Sequence, residues 1–311
     1  MASIVSVSHL SKHFRDLKAV DDLSFTVNEG DIYGFLGQNG AGKSTTIRIL
    51  LTLIEPTAGD IEIMGMNLKN HRKEILQNVG AIIEKPDFYK YLTAQENLSL
   101  FAKISGVKVP SHKIKEQLEL VGLIDRAGSK VKTFSQGMKQ RLGIAVALIH
   151  DPKLIILDEP MNGLDPQGIA DIRNLILQLS KSMGKTVIVS SHLLNEIELI
   201  ANRVLIIDKG KKVEEGAAAE LFDPANTLVE LLVADVETTW NSLQQTSWKD
   251  NLYAKEGTTI LLRMHRNDIP MLFKTLSSTD IPIYSLSPRH SLEDYFLNIT
   301  TQNRHVETFA N

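Results

Sequence analysis

The sequence of 311 residues predicts an α/β protein built on a largely parallel sheet, followed by a smaller α+β domain. Short apolar segments alternate with helical patterns up to about residue 220. Two of these segments, LIILDEP (154–160) and TVIVSSH (186–192), are almost continuously apolar, which is typical of strands buried on both faces by helices. Near residue 222 the pattern of apolar and polar residues changes to that of shorter strands and helices. We therefore expect domains at 1–220 and 221–311.

The remaining elements follow from periodicity. SIVSVSHL (3–10) and SFTVNEGDIYGFLG (24–37) alternate with period two, which indicates strands with one buried face. Helical patterns cover Ser44–Leu53, Lys113–Val121, Gly137–Ile149, Pro166–Ser182 and Leu193–Ala201. After the connector DPANT (223–227), the tail predicts a strand at LLRMHR (261–266), a helix at DIPMLFKTLSS (268–278), a strand at IPIYSL (281–286) and a helix at SLEDYFLNIT (291–300).

Composition excludes several classes of protein. The 34 basic and 37 acidic residues give a net charge of −3, which is not the basic footprint of a nucleic-acid-binding protein. There is no cysteine, so neither disulfides nor thiolate metal sites can form, and we expect a reducing cytoplasm. The N-terminus does not resemble a signal peptide, and no apolar run reaches membrane-spanning length.

The stretch GQNGAGKSTT (37–46) predicts a phosphate-binding loop rather than a glycine-rich surface turn. It matches G-x-x-x-x-G-K-[ST], in which glycines let backbone N–H groups turn toward phosphate oxygens. Lys43 is expected to reach the β- and γ-phosphates, and Ser44 to offer its hydroxyl to Mg²⁺. The predicted strand before the loop and helix after it supply the required context. The predicted nucleotide-binding residues here are Gly37, Gln38, Asn39, Gly40, Ala41, Gly42, Lys43, Ser44 and Thr45.

Two acidic residues and a histidine follow predicted strands. Asp158 and Glu159 end LIILDEP, at the strand end where ligands bind in open α/β sheets. We expect Asp158 to orient Mg²⁺ and Glu159 to polarise the water that attacks the γ-phosphate. His192 ends TVIVSSH, and we expect it at the same sheet edge, donating to the γ-phosphate. Without the upstream loop, the acidic pair would indicate only a polar strand end. A lone histidine after a strand would likewise indicate a residue with a structural role.

These motifs, in this order, resemble the nucleotide-binding subunit of an ABC transporter over about 220 residues. NGLDP (162–166) resembles the D-loop of that family, SSH (190–192) its switch histidine, and TFSQGMKQRLGIA (133–145) occupies the place of the ABC signature. The resemblance implies a P-loop NTPase core of the ABC ATPase type, with a helical subdomain at about 85–150. Ser135 and Gly137 match the signature's serine and second glycine, whereas Phe134, Gln136 and Met138 depart from its commonest form.

Two further assignments come from the resemblance. Phe14 resembles the aromatic residue that stacks on adenine, although a phenylalanine after a strand also suits a core. Glu84 stands where the family normally has a glutamine that senses Mg²⁺ and the attacking water; the alternative is a solvated loop residue. IIEKPDFYKYLTAQENL (82–98), SQGMKQRLGIA (135–145) and SLEDYFL (291–297) resemble the branch that exports bacitracin and lantibiotics for resistance or immunity.

The resemblance also implies a mechanism and partners. ATP and Mg²⁺ are the expected cofactors, with Ser44, Asp158 and Glu84 toward the metal. Two copies of the chain are expected to close head to tail on ATP, with Ser135 and Gly137 of one copy meeting the nucleotide of the other and Asp165 at the seam. Opening and closing would drive a separate membrane permease, which alone contacts the exported substrate. The chain would then lie on the cytoplasmic face of the membrane through that permease.

Other functions stay open from the sequence. The exported substrate could be another drug or a lipid, and an importer subunit or a soluble ABC ATPase that is not a transporter are further alternatives. The aromatics of DFYKYL (87–92) suit either permease docking or a core. Trp240, Trp248 and Tyr253 of the tail suit a core or a dimer contact better than a substrate-sensing site.

Overall fold

The computed structural model describes residues 2–15, 17–84, 86–221, 227–277 and 281–289. The chain divides into two compact units, residues 1–218 and 219–311. The predicted helix SLEDYFLNIT lies outside the described residues, and so does the predicted connector DPANT apart from Thr227.

Among the described residues of the first unit, ten strands form two sheets. They are β1 (Ser3–Phe14), β2 (Leu17–Asn28), β3 (Ile32–Leu36), β4 (Ala58–Ile63), β5 (Met66–Asn67), β6 (Val79–Ile82), β7 (Leu154–Asp158), β8 (Thr186–Ser191), β9 (Arg203–Asp208) and β10 (Lys211–Ala217). One sheet has the order β10-β9-β3-β8-β7-β6, in which only the edge strand β10 is antiparallel to its neighbour. The other is an antiparallel sheet of order β2-β1-β4-β5.

The α-helices described up to residue 221 are α1 (Lys43–Leu50), α2 (Arg72–Leu76), α3 (Ala94–Ile104), α4 (Ser111–Leu120), α5 (Gln136–Leu148), α6 (Pro166–Lys181), α7 (Leu194–Glu198) and α8 (Ala218–Leu221), the last of which spans the boundary between the two units. The predicted helices correspond to α1, α4, α5, α6 and α7. Helix α1 is shorter than predicted because Thr52, at φ 58°, turns the chain out of the helical conformation. Of the described helices, none is both long and apolar enough to cross a membrane.

The main core lies between the two sheets of the first unit. Phe25 of the antiparallel sheet packs against Tyr33 and Phe35 of β3, with ring centroids 6.0 and 5.7 Å apart. Strands β7 and β8 are buried along their whole length, as their continuous apolar sequences predict. This packing fixes the central strands, whose ends carry the candidate site.

One predicted strand is wrong in the structure. SFTVNEGDIYGFLG does not form one alternating strand, because a turn at residues 29–31 divides it between the end of β2 and β3. Strand β2 alternates, whereas β3 is buried at every position because it lies in the middle of the parallel sheet. The division moves the chain from one sheet to the other immediately before the phosphate loop.

The second unit is a small α+β fold. Its elements are β11 (Thr227–Val233), α9 (Val236–Leu243), β12 (Leu252–Glu256), β13 (Thr259–Met264), α10 (Ile269–Ser277) and β14 (Ile283–Arg289). The antiparallel order β12-β13-β11-β14 is that of a β-α-β-β-α-β, ferredoxin-like unit. Trp248 is buried in its core and Trp240 packs against that core, whereas Tyr253 is exposed beside Arg263.

Candidate nucleotide-binding site

The predicted phosphate loop joins β3 to α1. Two of its glycines, Gly37 and Gly42, occupy positions that a side chain could not share. A Cβ on Gly37 would lie 2.7 Å from the carbonyl oxygen of Ile207 in β9. A Cβ on Gly42, whose φ is 109°, would lie 2.5 Å from the carbonyl oxygen of Ala19 in β2. The glycines of the motif therefore let the loop pack directly against the backbone of two strands.

Lys43 is buried inside the loop. Its side chain is 5% exposed, and Nζ donates to the carbonyl oxygens of Gly37 at 2.6 Å and Gln38 at 3.2 Å. Ser44 and Thr45 are half-buried in the first turn of α1. The Lys43 ammonium is thus held by carbonyl oxygens of the loop that precedes α1. The N-terminus of α1 would itself attract phosphate. The remaining predicted loop contacts are the exposed Asn39 and Gly40 and the buried Ala41.

The parallel strands bring the predicted catalytic residues to one edge of the sheet, which we call the carboxyl edge. The phosphate loop follows β3, Glu159 follows β7, and His192 follows β8. Strand β8 lies between β3 and β7, and Asp158 is in register with Ser190. The structure therefore places the ends of these three neighbouring strands side by side.

Glu159 connects the lysine to the histidine. Its Oε2 lies 2.7 Å from His192 Nδ1, and its Oε1 lies 3.2 Å from Lys43 Nζ, an ion-pair distance without hydrogen-bond geometry. Glu159 adopts φ 48°, a left-handed conformation that is uncommon for a residue with a side chain. The carboxylate is 19% exposed, so it faces the phosphate loop from a largely enclosed position.

Asp158 is 2% exposed and accepts a hydrogen bond of 2.5 Å from Ser190 Oγ. The same serine oxygen accepts a 2.9 Å hydrogen bond from the backbone N–H of Glu159. One buried hydroxyl therefore orients both acids. Ser190 was not predicted from the sequence; the available signal was its position two residues before His192, near the end of a buried strand.

Glu84 also lies at the carboxyl edge, two residues after β6. It adopts φ 59°, its side chain is 65% exposed, and its carboxylate pairs with the guanidinium of Arg48 in α1. In the part of the chain that the structure describes, no group of three or more histidine, aspartate or glutamate residues could hold a metal by itself.

The predicted signature and D-loop residues form a second group. Ser135 is the N-cap of α5 and accepts from Met138 N at 3.2 Å, and Gly137 follows it in the first turn. Asp165 is the N-cap of α6 and accepts from Gly168 N at 3.1 Å. Two helix N-termini are therefore formed by the residues that the sequence singled out.

A contact that the sequence did not predict joins these two segments. Gln136 Nε2 donates to the carbonyl oxygen of Asn162 at 3.3 Å, which links the start of α5 to the turn before α6. Ser135 and Asp165 are both exposed. Their surface is thus open to another molecule.

Phe14 ends β1 at the turn to β2. Its ring is 43% exposed, and Lys12 Nζ lies 4.9 Å from the ring centroid. Strand β2, the partner of β1, is the strand whose Ala19 contacts Gly42 of the phosphate loop. Phe14 therefore belongs to a hairpin that adjoins the loop, with an exposed ring rather than a place in the core.

Comparison with known proteins identifies the family. The sequence model of the ABC transporter family matches residues 20–162 of this chain. The chain is 43% identical to the bacitracin transport ATP-binding protein BcrA of Bacillus licheniformis, over 96% of this chain and 98% of that protein. The chain belongs to the ABC transporter ATP-binding family. This ABC ATPase is also 40% identical to the uncharacterized ABC transporter ATP-binding protein YhcH of Bacillus subtilis, over 98% of both chains.

A solved structure gives the same fold. A dimeric ATP-binding cassette in a post-hydrolysis state, bound to ADP and Pi, matches with a TM-score of 0.62 and 25% identity, over 69% of this chain and 98% of that one. The predicted ABC ATPase fold, the family resemblance and the ATPase activity are therefore confirmed. The individual site residues stay predictions.

Proposed function

We propose that two copies of this ABC ATPase close on ATP and that hydrolysis drives a separate membrane permease exporting a peptide antibiotic of the bacitracin or lantibiotic type. The export proposal is supported by 43% identity to a bacitracin transport ATP-binding protein along nearly the whole chain. The export would serve resistance or immunity. The permease would bind the exported substrate and hold this chain at the cytoplasmic face of the membrane.

The observation that carries the hydrolytic mechanism is the position of Glu159 between Lys43 and His192. The γ-phosphate of ATP would compete with Glu159 for the lysine, because phosphate oxygens are the expected ligands of that ammonium. A carboxylate released from the lysine can accept a proton from the attacking water, while His192 holds its other oxygen or donates to the γ-phosphate. Binding of ATP would thus prepare the base.

The metal assignment fits the residues present. Ser44, in the first turn of α1, and Asp158, a buried acid with one serine hydrogen bond, would hold Mg²⁺, with Glu84 as the third candidate. When bound, Mg²⁺ would neutralise charge on the β- and γ-phosphates. The protein supplies orientation, because Ser190 fixes Asp158 by a hydrogen bond.

The dimer would use the exposed second group of residues. Ser135 and Gly137 at the start of α5 would meet the nucleotide held by the other copy, and Asp165 would lie at the seam. A helix N-terminus with free amides is suited to a γ-phosphate. The similar cassette described above is dimeric with ADP and Pi, which supports this arrangement. Phe14, whose side chain is exposed at the end of β1, would stack on adenine.

The domains would divide these tasks. We assign nucleotide binding to residues 1–220, with a helical subdomain at about 85–150, and an accessory role to residues 221–311. Permease docking would use residues 84–100, where Tyr89 and Tyr91 are 56% and 78% exposed whereas Phe88 is buried. Exposed aromatic side chains are well suited to an interface.

The dimer and the role of Glu159 can be tested together. Glu159→Gln is expected to bind ATP, to hydrolyse it at least about 10²-fold more slowly, and to accumulate as a dimer in ATP. Light scattering after gel filtration, with and without ATP, measures the mass. The double variant Glu159→Gln/Ser135→Arg is the control and should stay monomeric. Hydrolysis at near wild-type rate would exclude Glu159 as the base.

The cargo needs a separate experiment in the producing cell. Deletion of the gene should raise susceptibility to bacitracin or to a lantibiotic, and the wild-type gene, but not Glu159→Gln, should restore resistance. Unchanged susceptibility to both peptide classes would contradict the export proposal while leaving the ATPase intact.

A further inference from the structure

Three of the predicted site residues at the carboxyl edge are acids, and each of these has a partner. Glu159 pairs with Lys43 and His192, and Asp158 accepts from Ser190. Glu84 differs because its partner, Arg48, belongs neither to a sequence motif nor to the phosphate loop.

Arg48 is fixed by the helix that begins with the phosphate-binding lysine. Lys43 and Arg48 are both residues of α1, and the neighbours of Arg48, Ile47 and Ile49, are 0% and 1% exposed. Buried neighbours leave this helix little freedom to rotate. The Arg48 side chain is half-buried and its backbone position is fixed. Its guanidinium therefore reaches the carboxylate of Glu84, at the end of β6, from a rigid helix.

Glu84 reaches this guanidinium from an uncommon backbone conformation, φ 59°. Such conformations persist where the surroundings determine them. The ion pair connects the loop after β6 to the helix of the phosphate loop and cancels one negative charge at that edge. A nucleotide brings further negative charge to the same edge, so an unpaired acid there would repel it.

We propose that Arg48 is a positioning residue that holds Glu84 by its ion pair and neutralises it, so that an acid at the carboxyl edge is compatible with polyphosphate binding. This inference rests on the proposed nucleotide site. Arg48 acts through Glu84, and its effect on nucleotide affinity should therefore depend on the carboxylate at position 84.

A double-mutant cycle tests this dependence by equilibrium binding of a fluorescent ADP analogue, in EDTA and in Mg²⁺. The cycle uses the wild type, Arg48→Gln, Glu84→Gln and the double variant. Without metal, Arg48→Gln should raise the Kd by about 3- to 10-fold. In the Glu84→Gln background the same change should alter the Kd less than about twofold. Arg48→Lys, which keeps the charge, should stay close to wild type.

Arg72→Gln is the matched control, since Arg72 is an exposed arginine that bonds Thr52 instead of an acid. It should leave the Kd unchanged, and thermal unfolding of each variant shows that it is folded. An equal effect of Arg48→Gln in both backgrounds, or no effect in either, would overturn the inference. Lys43→Ala distinguishes failure of this inference from failure of the proposed nucleotide site. If Lys43→Ala binds ADP as tightly as the wild type, the assignment of the nucleotide site is wrong.

Discussion

At the residue scale, the site depends on backbone conformations as much as on side-chain chemistry. Glu159 and Glu84 both adopt positive φ at the ends of neighbouring strands, 48° and 59°. Each such conformation costs of order 1–3 kcal/mol unless the surroundings compensate. In both residues the carboxylate is paired, with Lys43 and His192 or with Arg48. Pairing and strain occur together at the residues proposed for catalysis.

Gly42 and Gly40 offer a matched comparison within the loop. Both have positive φ, but a Cβ on Gly40 would meet nothing within 4 Å, whereas one on Gly42 would lie 2.5 Å from Ala19 O. Gly40→Ala should therefore cost about 1 kcal/mol of stability and Gly42→Ala about 2–3 kcal/mol. Urea unfolding measures the difference. Equal losses of unfolding free energy in the two variants would mean that the loop moves away from Ala19 of β2 in solution, so that a Cβ at position 42 meets no obstruction.

Ser190 is expected to matter through the two acids it bonds. Ser190→Ala removes the hydrogen bond to buried Asp158 and one of the two acceptors of the Glu159 N–H, leaving the Ser190 carbonyl oxygen at 3.2 Å as the other. We expect a loss of about 1–3 kcal/mol in the free energy of unfolding and a fall in ATP hydrolysis. Ser191→Ala is the control, because Ser191 Oγ accepts only from Leu193 N among the bonds described. A Ser190→Ala protein as active as the control would contradict the orienting role.

At the element scale, local sequence signals explain helix starts better than helix ends. Asp165 and Ser135 cap α6 and α5, close to the predicted starts. Helix α3 was missed although Thr93 and Glu96 form a capping box, a signal readable from T-x-x-E. Helix α1 ends early through the conformation of Thr52, which no local pattern announces.

The capping box gives a pH prediction. Hydrogen bonds from the Thr93 backbone N–H, then from its hydroxyl, lower the pKa of Glu96. A lowered folded-state pKa means that this contribution to stability is present above the unfolded-state pKa and is lost as the pH falls through the folded value. Glu96→Gln should therefore show a smaller drop in Tm between about pH 7 and about pH 3 than wild type.

Glu116→Gln serves as the matched variant, because Glu116 is an exposed glutamate of α4 outside any capping box. Its acid-induced drop in Tm should equal that of the wild type. The same drop in all three proteins would show that the capping box does not contribute to acid unfolding.

At the scale of the whole molecule, polar contacts near Glu215 join the two sheets of the first unit. Within one sheet, Tyr33 of β3 donates to Glu215 of β10 at 2.9 Å. Between the sheets, the Thr26 backbone N–H of β2 donates to Glu215 Oε1 at 3.3 Å, and Arg203 of β9 donates to the carbonyl oxygen of Thr26 at 3.0 Å. Burial, followed by the nearby Glu215 carboxylate, raises the pKa of Tyr33 far above its ordinary value. The phenol therefore stays protonated and keeps donating.

Among the described residues, each unit has a core of its own. The larger core draws on residues from Ile4 to Ile207, and the smaller one on residues from Val229 to Leu286. A chain ending at Leu221 should therefore fold and bind ADP with a Kd within about twofold of the full chain, because each unit buries its own apolar residues. Circular dichroism and ADP binding measure both properties. A shortened chain that aggregates, or that loses ADP, would show that the first unit needs the second.

The sequence by itself determined the α/β class, and it predicted a phosphate-binding loop, an acidic strand end at Asp158 and Glu159, and His192 at the end of another strand, because these depend on local spacing and period. Tertiary structure decided the partners: Ser190 for the two acids, Arg48 for Glu84 and Gln136 for Asn162. It also divided SFTVNEGDIYGFLG between two sheets and arranged the tail as β-α-β-β-α-β. Residues far apart in sequence meet only after the strands have paired, and no local pattern records which strand ends become neighbours.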